Sequence, residues 1–359
     1  MKKLFLFLGF FTLVFLIVSC QDAGIDAYDL DQDLDTETER NVPEEDLDLD
    51  EDENEDENEI DELKEEADEE EPMAELLEAF IVSETEIVFM FSTPVNLLSL
   101  SLSFDQTLEP DIIEEGNLIT VILDEDLTPG LRFTVELEVE DEWYNSISEE
   151  VELISLNRHL PELLINELRT ENNNSTNRSE FVEFKILSDG NMGGLQVFIC
   201  RNNRLNMVYE FEPDEVEEDE YLVLYLRAQD DLSNTLPGRN FWVMSTIKLL
   251  GKTSAVYVTD QDGQVLAAVM IAENPSASWP NAQLAATAEF LFEQDAWKSP
   301  AGNIGTPMDA VNSARINTST TRSISRDETE LNTKTSADWY ITADNRATPG
   351  MPNSSQRLN

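Results

Sequence analysis

Hydrophobic and polar positions follow four successive patterns along the chain. Residues 4–18 are apolar except for Gly9 and Thr12. That run is shorter than the roughly 20 residues a membrane span needs and suits the apolar core of a signal peptide. Residues 20–72 carry only scattered apolar positions; Leu30, Leu34, Leu47 and Leu49 make no amphipathic face. From residue 73 short apolar runs recur at 76–82, 86–91, 97–104, 118–123, 131–139 and 151–156. Leu131, Phe133, Val135, Leu137 and Val139 alternate with Arg132, Thr134, Glu136, Glu138 and Glu140. Period two marks strands with one wet face, and Pro94, Pro110, Gly116-Asn117 and Pro129-Gly130 punctuate them. About seven strands in about 85 residues predict a β-sandwich over residues 73–157.

The fourth pattern runs from 160 to 353. Phe181 and Glu183 alternate with Val182 and Phe184, and Tyr221, Val223 and Tyr225 with Leu222, Leu224 and Leu226. Asp262-Gly263 separates runs at 253–259 and 264–271, which predicts a hairpin because Gly supplies the positive φ of a tight turn. An insertion at 273–320 breaks the pattern: Leu284, Ala288 and Leu291 form one stripe of a helix over 281–293, and 303–321 reads as a polar loop. The expected class is all-β, two sandwiches in tandem, with a short helical insertion in the second.

Charge changes the picture at the N-terminal side. Lys plus Arg total 22 and Asp plus Glu 76, a net charge of −54. Residues 21–71 hold 28 of the acids against only Arg40 and Lys64. Such a segment cannot bury enough surface to offset chain entropy, and like charges extend it, so 20–72 is expected to be a disordered acidic tether. The acidity argues against nucleic-acid partners and offers no basic patch to anionic lipid head groups. Asp31, Asp33 and Asp35 alternate as in a calcium loop, but the glycine turn and closing Glu are missing. Weak, diffuse divalent-cation binding by the tether is the expectation, with no specific metal site and no cofactor.

Three resemblances sharpen these expectations. Met1-Lys2-Lys3, the apolar run and Leu16-Ile17-Val18-Ser19-Cys20 resemble the signal peptide and lipobox of bacterial lipoproteins. The resemblance implies removal of residues 1–19, acylation of Cys20 (palmitate among the acyl chains) and a membrane anchor without a spanning helix. Gln21 stands where an Asp would retain some lipoproteins at an inner membrane, so the expected location is the bacterial cell envelope, with the outer membrane or cell surface favoured. Residues Glu86-Ile87-Val88-Phe89-Met90-Phe91, Leu127-Thr128-Pro129-Gly130-Leu131 and Asp141-Glu142-Trp143-Tyr144-Asn145 resemble bacterial immunoglobulin-like modules. Residues Leu163-Leu164-Ile165-Asn166-Glu167-Leu168, Phe181-Val182-Glu183-Phe184, Tyr221-Leu222-Val223-Leu224, Asp338-Trp339 and Thr348-Pro349-Gly350-Met351-Pro352-Asn353 resemble the lamin-tail domain. Both families imply immunoglobulin-like sandwiches, the first a spacer or adhesive unit and the second a binding or attachment module. The lamin-tail pattern has no counterpart for 273–320.

Candidate chemistry is sparse. One histidine and two cysteines leave little for metal or nucleophile chemistry. His159 reads as a linker residue, Cys200 as a buried structural thiol, and Arg322 and Arg326 with Asp327 and Glu328 as surface ion pairs. Trp279, Phe290, Phe292 and Trp297 concentrate in the insertion. They would either form an aromatic platform for a sugar or peptide or dock the insertion on the core. No residues are singled out as catalytic, and the expected role is a non-catalytic envelope module with a protein or glycan ligand. An accessory part in an extracellular hydrolase or nuclease system, and a calcium-dependent adhesin, are the alternatives.

Overall fold

The computed structural model describes residues 73–103, 110–170, 180–227, 236–276, 278–299, 305–316 and 322–358. The expected signal peptide, Cys20 and the acidic tether, including Asp31, Asp33 and Asp35, lie outside them, as do parts of the 273–320 insertion. All the described residues belong to one compact unit, Asp68–Asn359. The described residues are all-β, two sandwiches with one α-helix.

The first sandwich has seven strands: β1 (Leu76–Ser83), β2 (Glu86–Phe91), β3 (Val95–Leu102), β4 (Asp111–Glu115), β5 (Leu118–Ile122), β6 (Arg132–Asp141) and β7 (Ser146–Ile154). They form sheets of order β1-β2-β5-β4 and β3-β6-β7, the two-sheet order of a constant-type immunoglobulin domain. Period two on β6 buries Phe133, Val135, Leu137 and Val139 against Ile87, Phe89, Phe91, Ile119 and Val121. The turn into β7 is closed by Asp141, whose Oδ1 accepts the amides of Trp143 and Asn145, both at 2.9 Å, while Tyr144 takes φ 65°.

The second sandwich runs through β8 (Leu163–Arg169), β9 (Phe181–Ile186), β10 (Gly190–Asn191), β11 (Gln196–Arg201), β12 (Arg204–Glu210), β13 (Glu215–Val216), β14 (Tyr221–Arg227), β15 (Arg239–Ser245), β16 (Ser254–Thr259) and β17 (Val265–Ala272). Helix α1 (Ala282–Glu293), β18 (Val311–Asn312), β19 (Ile324–Arg326) and β20 (Trp339–Ile341) follow. A five-stranded sheet, β12-β11-β16-β17-β18, faces a six-stranded one, β15-β14-β9-β8-β19-β20, and β10 pairs with β13. The core between them takes Val182, Phe184 and Ile186 of β9 and Leu222, Leu224 and Leu226 of β14.

Both outer faces of this sandwich are covered, which period two alone does not announce. Asn281 caps α1, its side chain accepting the Leu284 amide, and the helix buries Leu284, Thr287, Ala288 and Leu291. The helix packs on β11, β16 and β17. On the other side the C-terminal segment crosses the six-stranded sheet. Strands β4, β12 and β15 are among those that fall outside the apolar runs; β4 is masked by its acids Glu114 and Glu115, and β12 carries polar residues on an exposed edge.

The two bodies meet through both backbone and side chains. Thr128-Pro129-Gly130-Leu131 forms a turn with Gly130 at φ 70°, and a Cβ there would lie 2.1 Å from the Gly193 carbonyl carbon. Asn157 Nδ2 donates to the carbonyls of Asn191 and Gly193, both at 2.8 Å, and Gln261 Nε2 to that of Ser155 at 2.7 Å. Arg132 pairs with Glu152 in its own sandwich and with Glu210 in the other.

Candidate functional site

The four aromatics of the insertion do not share one open face. Trp297 is 1% exposed, with Nε1 donating to the Asp309 carbonyl at 3.3 Å. Trp279 is half-buried against the core and donates to the Gly305 carbonyl at 2.8 Å. Phe290 packs with its centroid 5.8 Å from that of Tyr257, and Phe292 is half-buried. Three of the four are therefore part of the packing that seats α1.

The concentrated chemistry lies instead on the outer face of the six-stranded sheet. Period two sends Glu183 of β9 to that face, and the bulge after Ile165 brings Glu167 of β8 there too, directly opposite it. Both are fully buried. A bulge between Ile165 and Glu167 turns Asn166 onto the same side. Glu167 accepts hydrogen bonds from the hydroxyls of Ser323 and Ser325 and from the Thr348 amide, the last at 3.0 Å. Glu183 accepts from Asn166 Nδ2 at 2.8 Å and from the Gly350 amide at 2.6 Å. Glu328 accepts from the Asn353 amide at 2.8 Å, the Tyr221 hydroxyl at 2.8 Å and Lys185 Nζ at 3.0 Å.

The segment that supplies these amides is the Thr-Pro-Gly-Met-Pro-Asn run. Thr348 to Met351 make a turn closed by the Met351 amide on the Thr348 carbonyl at 3.0 Å. Pro at its second place and Gly350 at φ 78° in its third are what a type II turn requires. Gly350 is pressed so close to the Pro237 carbonyl that a Cβ would lie 2.0 Å from that oxygen. Asn353 Nδ2 then donates to the carbonyls of Asn166, at 3.1 Å, and Arg326, at 3.0 Å.

Protonation follows from this closure. Burial, offset in part by Ser323, Ser325 and Thr348, pushes the Glu167 carboxyl up to about 7. Burial and the negative charge of Glu167 push Glu183 well above the usual range. Burial also raises Glu180, to about 7; it accepts the Leu250 amide. At Glu328 burial pulls upward, but hydrogen bonds from Asn353, Tyr221, Lys185 and Asn166 outweigh it and leave the carboxyl below its ordinary value. Two like charges opposed across a buried ladder are unfavourable, so one proton held at the pair is the physically cheap arrangement. With Thr348 and Gly350 closing over them, the acids fasten chain rather than meet solvent.

The remaining predicted residues fall as follows. Arg326 is not a surface residue. It is buried, 3.1 Å from Asp338 and 4.8 Å over the Trp339 ring, because β19 lies inside the sheet between β8 and β20. Glu328 likewise joins the buried network, whereas Arg322 pairs with Asp344 and Asp327 with Arg357 nearer the surface. Cys200 is buried, and burial raises its thiol. His159 sits at the junction, its Nδ1 3.6 Å from Glu215. Asp260 caps the β16–β17 turn, accepting the amides of Asp262 at 3.0 Å and Gln264 at 2.8 Å. Among the described residues no group of three or more His, Cys, Asp or Glu is placed to hold a metal ion, and no helix is long and apolar enough to cross a membrane.

A family model described as "TP_1001_2nd: protein second domain" matches residues 161–341, slightly more than half of the chain. No curated protein matches it. Among solved structures, the N-terminal part of the bacterial S-layer protein SbsC aligns at a TM-score of 0.22 and 14% identity, over 56% of this chain and 44% of that one. The chain thus spans less than half of that structure, and a score this low carries no argument on fold or role.

Proposed function

Starting from a chain that belongs to the family described as TP_1001_2nd, protein second domain, we propose that it is an exported, lipid-anchored, non-catalytic protein of the bacterial envelope. Its two sandwiches, an immunoglobulin-like module and a lamin-tail-like module, act in binding, adhesion or structure. Cys20 carries the lipid, and residues 20–72 hold the sandwiches off the membrane, at the outer membrane or cell surface.

The observation that carries this reading is the use made of the motif residues. Asn166, Glu167, Glu183, Thr348, Gly350 and Asn353 bond to one another and to the chain. Acids with raised proton affinity mark active sites when they line a cleft; here backbone amides close over them. The N-terminal sequence supports the anchor: a basic start, a fifteen-residue apolar run and Ser19-Cys20.

Replacing Cys20 by Ala tests the anchor. The variant is expected to leave the membrane fraction and to escape lipoprotein processing; unchanged partitioning and processing would sink the proposal. Protease treatment of intact cells tests the location, with cleavage expected for a surface-exposed chain.

A further inference from the structure

The outer face of the four-stranded sheet in the first sandwich is built differently from the covered faces of the second. The inner positions of β1, β2 and β5 (Ala79, Ile81, Ile87, Phe89, Ile119 and Val121) belong to the core cluster. The alternate positions face out. Across the four strands, Phe80, Val88, Thr120 and Ile113 stand in register. Two residues along, the row is Glu78, Met90, Leu118 and Glu115. On the other side Glu86, Ile122 and Asp111 are in register. The centre is thus largely apolar, with Thr120 within it; acids stand at three corners, Glu78, Glu115 and Asp111, and Glu86 lies on β2 beside the fourth, where β1 has Ser83. Phe80, Val82 and Ile113 are 39%, 43% and 43% exposed. A solvated sheet face ordinarily alternates to polar residues at these positions.

Charge indicates what covers it. No Lys, Arg or His occurs between Lys64 and Arg132, while residues 73–131 hold twelve acids. A second copy would bring one acid-rimmed face onto another. The segment 21–71 has the same sign. We propose that this face is a docking surface for a protein partner that presents an apolar strip flanked by Lys or Arg. Apolar burial supplies the affinity, and the corner acids select the partner and its register. The proposal rests on the reading of the chain as a binding module and is independent of Cys20, since it concerns binding in solution.

The test uses the purified full chain and two synthetic peptides of equal length and charge, one alternating Lys with Val and the other Lys with Ser. The Lys-Val peptide is expected to bind about tenfold more tightly. The double substitution Phe80→Thr with Ile113→Thr is expected to remove that margin. Equal binding of the two peptides, or an undiminished margin in the variant, overturns the proposal. Should that variant fail to fold, Glu78→Gln with Glu115→Gln reads the same contact: weaker Lys-Val binding with a shallower salt dependence supports it, and unchanged binding overturns it. A stable dimer of the full chain that Phe80→Thr with Ile113→Thr dissolves also overturns it, in favour of a second copy.

Discussion

Glu167 and Glu183 stand opposite each other on adjacent antiparallel strands, and amides two residues apart in the chain, those of Thr348 and Gly350, bond to one carboxylate each. The C-terminal segment is therefore registered on the sheet by a pair of acids rather than by a strand ladder.

Acid pH is expected to stabilise the second sandwich. Glu167 and Glu180 rise from 4.5 to about 7, and Glu183 shifts the same way. The folded chain holds these protons more tightly than the unfolded one. Their contribution is fully present below about pH 4.5 and is lost as pH rises through about 7. Asp141, Asp327 and Glu328 shift downward and contribute in the opposite sense, losing their effect at lower pH. Thermal melts should place maximum stability near pH 5 and a lower Tm at pH 8. Glu183→Gln should flatten that slope. It should also cost about 1–3 kcal/mol, because its amide group would face either Asn166 or Gly350 as donor against donor.

Gly350→Ala should unseat the C-terminal segment. The residue has φ 78° and no room for a Cβ beside Pro237. The expected loss is about 3 kcal/mol or more, well above an exposed Gly→Ala change. Gly263, with φ 78° but open space around it, is the control: Gly263→Ala carries the φ penalty alone, about 1 kcal/mol. Urea denaturation of the two variants separates them.

Gly130→Ala should part the two bodies without unfolding either. Its Cβ would meet the Gly193 backbone, which has no flexible side chain to yield. The far-ultraviolet circular dichroism of the chain should stay unchanged, while limited proteolysis should newly cut between residues 155 and 161.

Cys200 should resist thiol reagents until the chain unfolds, given its full burial and raised thiol. In a Cys20→Ala background, labelling should track the urea transition; rapid labelling of native protein would contradict the packing of α1 over β11.

The strands with strict alternation were legible in the sequence. β6 buries the residues its period selects, and the Asp262-Gly263 hairpin forms between β16 and β17. The stripe of Leu284, Ala288 and Leu291 faces the core as the helical spacing requires. What alternation could not reveal is which wet faces are later covered. Glu167, Glu183 and Arg326 occupy positions that read as solvent-facing, and the segment that buries the acids has no periodicity and lies more than 160 residues on in sequence. The signal that could have exposed this was the Thr-Pro-Gly turn, which occurs at both 128–130 and 348–350. Each time its glycine is the point where two backbones touch. The docking face of β1, β2, β4 and β5 was hidden because β4, with Asp111, Glu114 and Glu115, is not among the apolar runs.

The C-terminal fastening has a consequence for the order in which this half can close. β8 opens the second sandwich, yet its Glu167 waits for Thr348, the partner last to emerge. Until residues 348–353 are made, the buried acids lack these amide donors, and pairing across such a separation in sequence is slow. A product ending before Thr348 would lack the Thr348, Gly350 and Asn353 donors, and its buried acids would stand against no chain.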